Sequence, residues 1–297
     1  MQDDAYWIDK ARVRASFDRA ASTYDAAAIL QKSVREEMLS RLDLVKLTPQ
    51  AILDAGCGTG QGTFALQKRF PQTQVISLDI AMGMLQHTQA QMPTLQRWLS
   101  SITGKKNLVC ADIESLPLAN QSVDMVWSNL ALQWCNNLDQ AFAEIRRVLK
   151  PEGLVMFSTF GPDTLKELRL ASASSDDAHA NTHVSRFIDM HDIGDAMTRA
   201  GFSAPVLDVD YFSLTYDDVK AVMRDLKSIG AHNATAGRAR GLAGKGFLQQ
   251  LATRYEQFRQ AGKLPATFEV IYGHAWAPAQ QPDLQPGYAP VHFKSRK

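Results

Sequence analysis

The stretch AILDAGCGTGQGT, residues 51–63, constrains the fold most strongly, because an apolar run ends near an acid and three alternating glycines follow at once. Four more short apolar runs recur before residue 161, and segments with apolar residues at helical spacing separate them. Short apolar runs that alternate with helices are typical of parallel strands buried on both faces. The sequence therefore predicts an α/β fold, with a doubly wound sheet in which the glycines follow the first strand.

The glycines form the pattern D-x-G-x-G-x-G, made by Asp54, Gly56, Gly58 and Gly60. At the first strand-to-helix turn of such a sheet, glycines let the backbone come within contact distance of a ligand. The dinucleotide fingerprint G-x-G-x-x-G fits poorly, because Gln61 stands three places after Gly58. An acid at position 54 would also repel a pyrophosphate, whereas it suits a cationic group such as the amino group of S-adenosylmethionine. The pattern disfavours a dehydrogenase and favours this cofactor.

Polar side chains also end the next three predicted strands. Asp79, nineteen residues after Gly60, ends the second strand, where a carboxylate can accept both hydroxyls of a ribose. This acid alone would serve NAD equally well. Asp112 ends the third strand, where its carboxylate could take the exocyclic amine of an adenine. Ser128 and Asn129 end the fourth strand, at the depth where a reactive methyl group would lie.

The final third of the chain departs from the simple alternation. Two extended runs, 204–214 and 267–277, are separated by about fifty residues with two helical patterns, which indicates a hairpin that carries an insertion. Another insertion, 161–186, lies between the fifth and sixth strands. At the front, Val34 and Met38 belong to helices that precede the first strand and could lie across the functional edge of the sheet as a lid.

No linker divides the chain, so we expect a single domain over residues 1–297. A chain of this length buries enough apolar surface to fold without disulfides or a structural metal. Its expected parts are a helical cap over 1–47, a cofactor-binding core over 48–160, and a substrate half over 161–297 that contains the final hairpin.

Composition and charge argue against several classes of function. The net charge is +1, so wholesale attraction to nucleic acid or to a membrane surface is not expected. The start is polar and acidic, and no apolar run approaches the eighteen or so residues of a membrane span, so we expect a cytoplasmic protein. The three cysteines form no Cys-x-x-Cys motif and the histidines show no metal-ligand spacing, so no metal is expected.

The segment Lys220–Lys263, with nine Lys or Arg against two acids, predicts a local basic face.

Over roughly residues 15–160 these motifs resemble the class I S-adenosylmethionine-dependent methyltransferases. The resemblance implies a Rossmann-like, seven-stranded sheet whose last strand is antiparallel, with helices on both faces, an N-terminal helical lid and insertions after strands 5 and 6. It also implies S-adenosylmethionine as the methyl donor and S-adenosylhomocysteine as the product. On this resemblance the cofactor-binding residues are Tyr24, Asp54, Gly56, Cys57, Gly58, Gly60, Asp79, Ile80, Met84, Asp112, Ile113, Asn129 and Leu130.

Four segments resemble a narrower family, the malonyl-acyl-carrier-protein O-methyltransferases of biotin synthesis. FDRAASTYD and LQWCNNLDQAFAEIRRVLKPEG are shared by many small-molecule methyltransferases, whereas FSTFGPDTLKELR and LKSIGAHNATAGRARGLAGKG are specific. The resemblance implies methyl transfer to the free carboxylate of a malonyl thioester on acyl carrier protein. Because a carboxylate with a pKa of about 4 is already ionised at neutral pH, no general base is expected and no catalytic residue is named.

The substrate contacts are open to two interpretations. Tyr24 either closes over the methyl end of the cofactor or is a half-buried packing residue. Arg169 and Arg186 flank the polar middle of the insertion after strand 5, and they either hold a malonyl oxygen or are solvated. Arg238 and Arg240 either dock the acidic carrier protein or form a solvated face. For the whole chain, a methyltransferase of a quinone or a free carboxylic acid, or a non-catalytic cofactor-binding protein, remains as an alternative.

Overall fold

Seven strands build one sheet in the computed structural model, which describes residues 6–93, 107–172, 187–231, 234–235 and 245–279. The strands are β1 (Ala51–Ala55), β2 (Gln74–Asp79), β3 (Leu108–Cys110), β4 (Val123–Asn129), β5 (Leu149–Phe160), β6 (Ser203–Tyr216) and β7 (Leu264–Trp276). Their order is β3-β2-β1-β4-β5-β7-β6, and β7 runs antiparallel to both of its neighbours. β1 to β5 are parallel. This topology confirms the predicted α/β sheet with an antiparallel last strand.

Helices precede the first strand and also lie in the connections between strands. They are α1 (Lys10–Ala20), α2 (Tyr24–Ala27), α3 (Ile29–Arg41), α4 (Gln61–Arg69), α5 (Met82–Gln91), α6 (Leu138–Val148), α7 (Lys166–Ser172), α8 (Met190–Arg199), α9 (Val219–Ser228) and α10 (Lys245–Tyr255). α7 and α8 occupy the connection from β5 to β6, and α9 and α10 that from β6 to β7, where the two insertions were predicted. Within the described ranges, none of the helices has the length and apolar character that crossing a bilayer requires.

Two apolar clusters form the core, one on each face of the sheet. Along β1, Ile52 belongs to the first cluster and Leu53 to the second, because successive side chains of a strand point to opposite faces. Val34 of α3 packs in the first cluster and Phe142 of α6 in the second. Both faces of the parallel strands are therefore covered, which explains why these strands read as continuous apolar runs.

The register of the sheet brings the ends of neighbouring strands to one edge. Asp54 of β1 pairs with Trp127 of β4, and Asn129 at the end of β4 pairs with Ser158 of β5. Asp79 ends β2, on the other side of β1. Parallel strands all finish on the same side of a sheet, so the polar residues near their carboxyl ends lie along this edge.

The N-terminal segment, here called the cap (residues 6–47), lies across this edge. Asp9 begins α1 by accepting hydrogen bonds from the backbone amides of Ala11 and Arg12. α3 packs against one face of the sheet, where Val34 and Met38 are fully buried. The cap thus combines a helix over the edge with a helix that belongs to the core.

Candidate active site

The glycine turn connects β1 to α4. The backbone amides of Gly56 and Cys57 both donate to the carbonyl of Leu78, at 2.8 and 2.9 Å, so β2 supports the turn. Gly56 and Gly58 have φ of 81° and 53°, a region that favours glycine. A Cβ on Gly56 would stand 2.3 Å from the Cβ of Ala131, whereas one on Gly58 would meet nothing within 4 Å. Gly56 therefore allows two turns to touch, and Gly58 leaves open space above the backbone.

Asp54 lies near the end of β1 and is only 2% exposed. Its carboxylate accepts a hydrogen bond from the hydroxyl of Thr63 at 2.6 Å, and that hydroxyl is also 2.9 Å from the hydroxyl of Ser77. Burial raises the pKa of Asp54 to about 7, although the Thr63 hydrogen bond acts in the opposite direction. A neighbouring cation would favour the charged form of this acid, so Asp54 suits a positively charged ligand group.

Asp79 ties the glycine turn to the end of β2. One carboxylate oxygen accepts the amide of Gly58 at 2.9 Å and the other accepts the amide of Ala81 at 2.8 Å. Burial raises the pKa of Asp79 to about 6, while these two amides lower it. A carboxylate offers about four acceptor positions, so Asp79 keeps capacity for ligand hydroxyls.

Asp112 follows β3 and contacts a cation from the cap. The ammonium of Lys10 lies 2.8 Å from one oxygen of Asp112 and also contacts the carboxylate of Glu114. An oxygen of Asp112 further accepts the amide of Glu114 at 3.1 Å. Lys10 therefore fastens α1 to the loop that carries the predicted adenine-binding acid.

The first cavity, of about 620 Å³ and open to solvent, lies between α1 and the ends of the parallel strands. Lys10, Phe17 and Trp134 contribute to its walls. It collects ten of the thirteen predicted cofactor-binding residues, namely Tyr24, Gly56, Gly58, Asp79, Ile80, Met84, Asp112, Ile113, Asn129 and Leu130.

The second cavity, of about 850 Å³, adjoins the first. Asp54 and Cys57, two more predicted residues, line it together with residues of α3. Gly60 lines neither cavity. It has φ of 85° and precedes α4, where a Cβ would lie 2.5 Å from Thr88. Gly60 thus shapes the turn and lets α4 and α5 approach each other.

Tyr24 of α2 stands between the two cavities and lines both. The residue is half-buried, and its ring centroid lies 6.4 Å from that of Phe17. Burial and the carboxylates of Asp79 and Asp25 raise the pKa of the Tyr24 hydroxyl. Tyr24 therefore presents a neutral phenol at the junction of the cavities.

A chain of hydrogen bonds fixes the end of β4 at the same junction. The hydroxyl of Ser158 donates to Oδ1 of Asn129 at 2.9 Å and accepts the amide of Leu130 at 3.0 Å. Nδ2 of Asn129 donates to the backbone carbonyl of Gln31 in the cap at 3.1 Å. Leu130 has φ of 50°, an uncommon conformation for a residue with a side chain. β4, β5 and α3 are thus joined where the two cavities meet.

Another set of hydrogen bonds joins the cap to the glycine turn and to β2. Asp25 accepts the hydroxyl of Thr59 at 2.5 Å and Nε2 of Gln61 at 3.1 Å. Nε of Arg14 donates to the carbonyl of Ile80 at 3.0 Å. These contacts hold α1 and α2 over the cavities.

Of the predicted substrate-binding arginines, Arg169 can be placed. Its guanidinium donates to the carbonyls of Pro162 and Thr164, both at 2.8 Å, and so supports the loop after β5. It also lines a wide cleft of about 2000 Å³ that shares Cys135 with the first cavity. Three predicted residues lie outside the described residues: Arg186, Arg238 and Arg240.

The described walls of the two cavities contain no histidine. Burial raises the pKa of the Cys57 thiol, and it raises that of Cys135 to about 12, so both thiols stay protonated at neutral pH. In the part of the chain that the structure describes, no group of three or more His, Cys, Asp or Glu could hold a metal ion.

Several polar residues at the described site were not predicted from the sequence, among them Lys10, Asp25, Arg35 and Ser158. Asp25 directly follows Tyr24, and Ser158 lies near the end of the fifth strand, so the rule that found Asp79 could have found Ser158. Lys10 and Arg35 give no local signal, because their position depends on how the cap packs against the sheet.

Sequence similarity to known proteins identifies the family of the chain. A family described as a methyltransferase domain matches residues 53–157. A malonyl-acyl-carrier-protein O-methyltransferase from Methylovorus sp. is 68% identical, and the similarity covers 100% of this chain and 98% of that protein. The chain belongs to this O-methyltransferase family. A relative of the same name from Laribacter hongkongensis is 57% identical over 94% of this chain and 93% of its own length.

Solved structures agree on the fold of this O-methyltransferase. The YcgJ protein from Bacillus subtilis aligns with a TM-score of 0.55 at 16% identity, over 82% of this chain and 99% of that chain. At a sequence identity of 16%, the structural similarity supports the fold and carries no conclusion about activity. The resemblance drawn from the four sequence segments is confirmed by the full-length relatives.

Proposed function

We propose that the chain transfers the methyl group of S-adenosylmethionine to the free carboxylate of malonyl-acyl carrier protein, which gives a malonyl methyl ester for biotin synthesis. The observation that carries the proposal is the 68% identity to the Methylovorus protein of that name over 100% of this chain. The similarity extends beyond the core that methyltransferases of many substrates share. It includes the cap and the half of the chain after β5.

The residues around the cavities fit this cofactor. We assign Asp79 to the ribose and Asp112 to the adenine, because both acids line the first cavity at the ends of β2 and β3. Asp54, buried and with a raised pKa, is assigned to the amino group. When bound, the cofactor supplies an electrophilic methyl group on a sulfonium. Residues 6–47 close the site, 48–160 hold the cofactor, and the remainder receives the acceptor.

A carboxylate acceptor needs no general base from this site. The described walls of both cavities lack a histidine, their buried thiols are protonated, and Tyr24 is a neutral phenol. An ionised malonyl group is already the nucleophile, so no proton has to be removed. Positioning alone accounts for roughly 7 to 11 kcal/mol of a barrier. Exclusion of water would help further, because the charges of a carboxylate and a sulfonium cancel when the methyl carbon passes from the sulfur, which leaves as a neutral thioether, to the carboxylate oxygen.

Helix α9 provides a surface for the carrier protein. Lys220, Arg224 and Lys227 are exposed and recur at a spacing that places them on one face of the helix. The backbone carbonyl of Ser228, at the end of this helix, accepts the hydroxyl of Thr23 in the cap at 3.3 Å. An acidic carrier that docks on α9 would therefore stand next to the cap, and the predicted cations Arg238 and Arg240 follow α9 along the chain.

The experiment is methyl transfer from radiolabelled S-adenosylmethionine to four acceptors: malonyl-acyl carrier protein, malonyl-coenzyme A, succinyl-acyl carrier protein and free malonate. We expect base-labile label on the malonyl carrier, because a carboxyl ester is cleaved by hydroxide. Asp79→Ala is the matched control, since loss of the proposed ribose contact should lower transfer to every acceptor alike. Cofactor binding without transfer to any of the four acceptors would contradict the proposal.

A further inference from the structure

One cation in the wall of the second cavity has no hydrogen-bond or ion-pair partner in the described part of the chain. Arg35 of α3 is half-buried and lines this cavity, and it has no hydrogen-bond or ion-pair partner among the described residues. Lys32, one turn earlier on the same helix, is 4.0 Å from Glu36 and is exposed. Of the two cations that line this wall, Arg35 is therefore the one that makes no hydrogen bond or ion pair with a described residue.

The cations that line the neighbouring cavities are already engaged. Lys10 contacts the carboxylates of Asp112 and Glu114. Arg169 donates to two backbone carbonyls. Arg199 donates to Asp139 at 2.8 Å. Among the described residues, Arg35 is thus the guanidinium at the cavities that has all of its donors available for a ligand.

Two buried polar atoms of the second cavity also lack a partner. Trp127 is fully buried, and its Nε1 donor has no hydrogen-bond acceptor in the described structure. The buried Oε1 of Gln31 likewise has no described donor. Both residues line this cavity with Asp54. Buried polar groups are almost always hydrogen-bonded, so these two atoms add unmet hydrogen-bonding capacity to the wall that carries Arg35.

We propose that Arg35 binds a carboxylate group of a ligand in the second cavity. A guanidinium holds a carboxylate through two parallel hydrogen bonds, and its positive charge makes these bonds stronger than neutral ones. Two sources supply such a group if the proposed function holds: the α-carboxylate of S-adenosylmethionine and the malonyl carboxylate of the acceptor. Tyr24, which lines both cavities, lies where they join.

The charges around the cavity agree with this role. The positive charge of Arg35 lowers the pKa of Asp54 and of Tyr24, against the larger effect of burial, so Arg35 acts on both residues across the cavity. Asp54 then offers a negative group to a ligand ammonium, and Arg35 offers a positive group to a ligand carboxylate. The wall is complementary to a ligand that carries both charges.

The experiment compares Arg35→Gln with Arg35→Lys and with Lys46→Gln. Lys46→Gln is the matched control, because it removes a positive charge from an exposed residue of the cap that lines neither cavity. Calorimetry measures the affinity for S-adenosylhomocysteine and for 5′-methylthioadenosine, which has the nucleoside and thioether but no carboxylate. Binding of malonyl-acyl carrier protein to the complex with S-adenosylhomocysteine is measured in the same way.

Two results support the proposal and identify the source. If Arg35 holds the cofactor carboxylate, Arg35→Gln lowers the affinity for S-adenosylhomocysteine by about tenfold or more and leaves the affinity for methylthioadenosine unchanged. If Arg35 holds the acceptor, cofactor affinity is unchanged and the malonyl carrier binds about tenfold or more weakly. In either case Arg35→Lys restores part of the loss, and Lys46→Gln has less than about a twofold effect.

Other results overturn the proposal. One such result is that Arg35→Gln leaves every affinity unchanged. The other is that it lowers the affinities for S-adenosylhomocysteine and methylthioadenosine equally, as a general disturbance of the cap would. Failure of the proposed function can be distinguished from these results, because the wild-type protein would then neither bind nor methylate malonyl-acyl carrier protein. In that event the proposal for Arg35 is decided by the S-adenosylhomocysteine measurements alone.

Discussion

Two buried acids link protonation to ligand binding at the level of single residues. The pKa of Asp54 is raised to about 7 and that of Asp79 to about 6, because burial disfavours the charged carboxylates. A bound cation favours the charged form and lowers the pKa of the acid beside it. A ligand with an ammonium group therefore releases protons when it binds below the pKa of the free protein.

We expect the affinity for S-adenosylhomocysteine, which carries an amino group, to rise with pH and to level off above about pH 7. Asp54 has a pKa of about 7 in the free protein, so below that value affinity rises by up to about tenfold per pH unit for each proton released. Calorimetry over this range, in two buffers with different enthalpies of ionisation, measures the affinity and the number of protons released.

Asp54→Asn is the control for this prediction. The amide keeps an oxygen that accepts the hydroxyl of Thr63, and it removes the charge. The variant should show a shallower dependence on pH, with a remaining slope from Asp79 below about pH 6. Equal slopes in both proteins would show that Asp54 does not change protonation when the ligand binds.

The sequence predicts those site residues that end strands. Asp54, Asp79 and Asp112 each follow or close an apolar run, and parallel strands bring such positions together. The same reasoning does not reach Lys10 or Arg35. Each lies on a helix of the cap, and the side of a helix that faces a cavity depends on the angle at which the helix packs.

The cap is the element that closes both cavities. Lys10 and Arg14 connect α1 to the loops after β3 and β2, and Asp25 connects α2 to the glycine turn. These contacts are polar and lie partly exposed at the surface, and α1 adds a small apolar cluster around Val13, whereas α3 packs into the main core. Segments held in this way open more easily than the core, so we expect ligand exchange to follow opening of α1 and α2.

Asp25→Ala should loosen the cap over the glycine turn. It removes the acceptor for Thr59 and Gln61, and a net loss of about 1 kcal/mol for each of these two hydrogen bonds predicts up to about thirtyfold weaker binding of S-adenosylhomocysteine. Because the cap closes over the ligand, the change should lie mainly in the dissociation rate. Stopped-flow displacement of a fluorescent cofactor analogue measures that rate.

Asp43→Ala is the matched control for the cap, because Asp43 is another exposed acid of this segment and pairs with Arg69 at 2.7 Å. Neither Asp43 nor Arg69 lines either of the two cavities. The control should leave the dissociation rate within about twofold of wild type. A rate that is unchanged in Asp25→Ala as well would mean that the hydrogen bonds of Asp25 do not hold the cap closed.

Most elements could be predicted because their patterns are strong. The five apolar runs became parallel strands, and the two late runs became the β6–β7 pair with two helices between them. The third strand covers only Leu108–Cys110, which is shorter than its apolar run suggested. The hydrogen bonds between the cap and the sheet could not be predicted, because they join residues far apart in the chain, such as Asn129 and Gln31.

The whole molecule is nearly neutral but its charge is divided. The segment Lys220–Lys263 carries about +7 and the remainder about −6, which together give the net charge of +1. Within this segment, α9 exposes three cations around Met223, which is 43% exposed. Charges around an apolar side chain raise the rate of encounter with an oppositely charged partner. This surface is therefore where an acidic carrier should dock.

Reversing these charges should separate two substrates that share one malonyl group. Lys220→Glu, Arg224→Glu and Lys227→Glu together should raise the KM for malonyl-acyl carrier protein by about tenfold or more, because attraction of an acidic partner becomes repulsion. The KM for malonyl-coenzyme A should change much less, since that molecule does not contact a protein-docking surface. Steady-state kinetics with both substrates, at low salt, measures the difference.

Ionic strength and a matched variant decide whether the effect is docking. Lys68→Glu reverses an exposed charge at the end of α4 that lies away from the glycine turn, and it should leave both KM values within about twofold of wild type. The difference between the triple variant and wild type should shrink toward 1 M salt, where the screening length falls to about 3 Å. If the KM for the carrier protein is unaltered, or rises equally for coenzyme A, α9 is not the docking surface, and the cations after it become the next candidates.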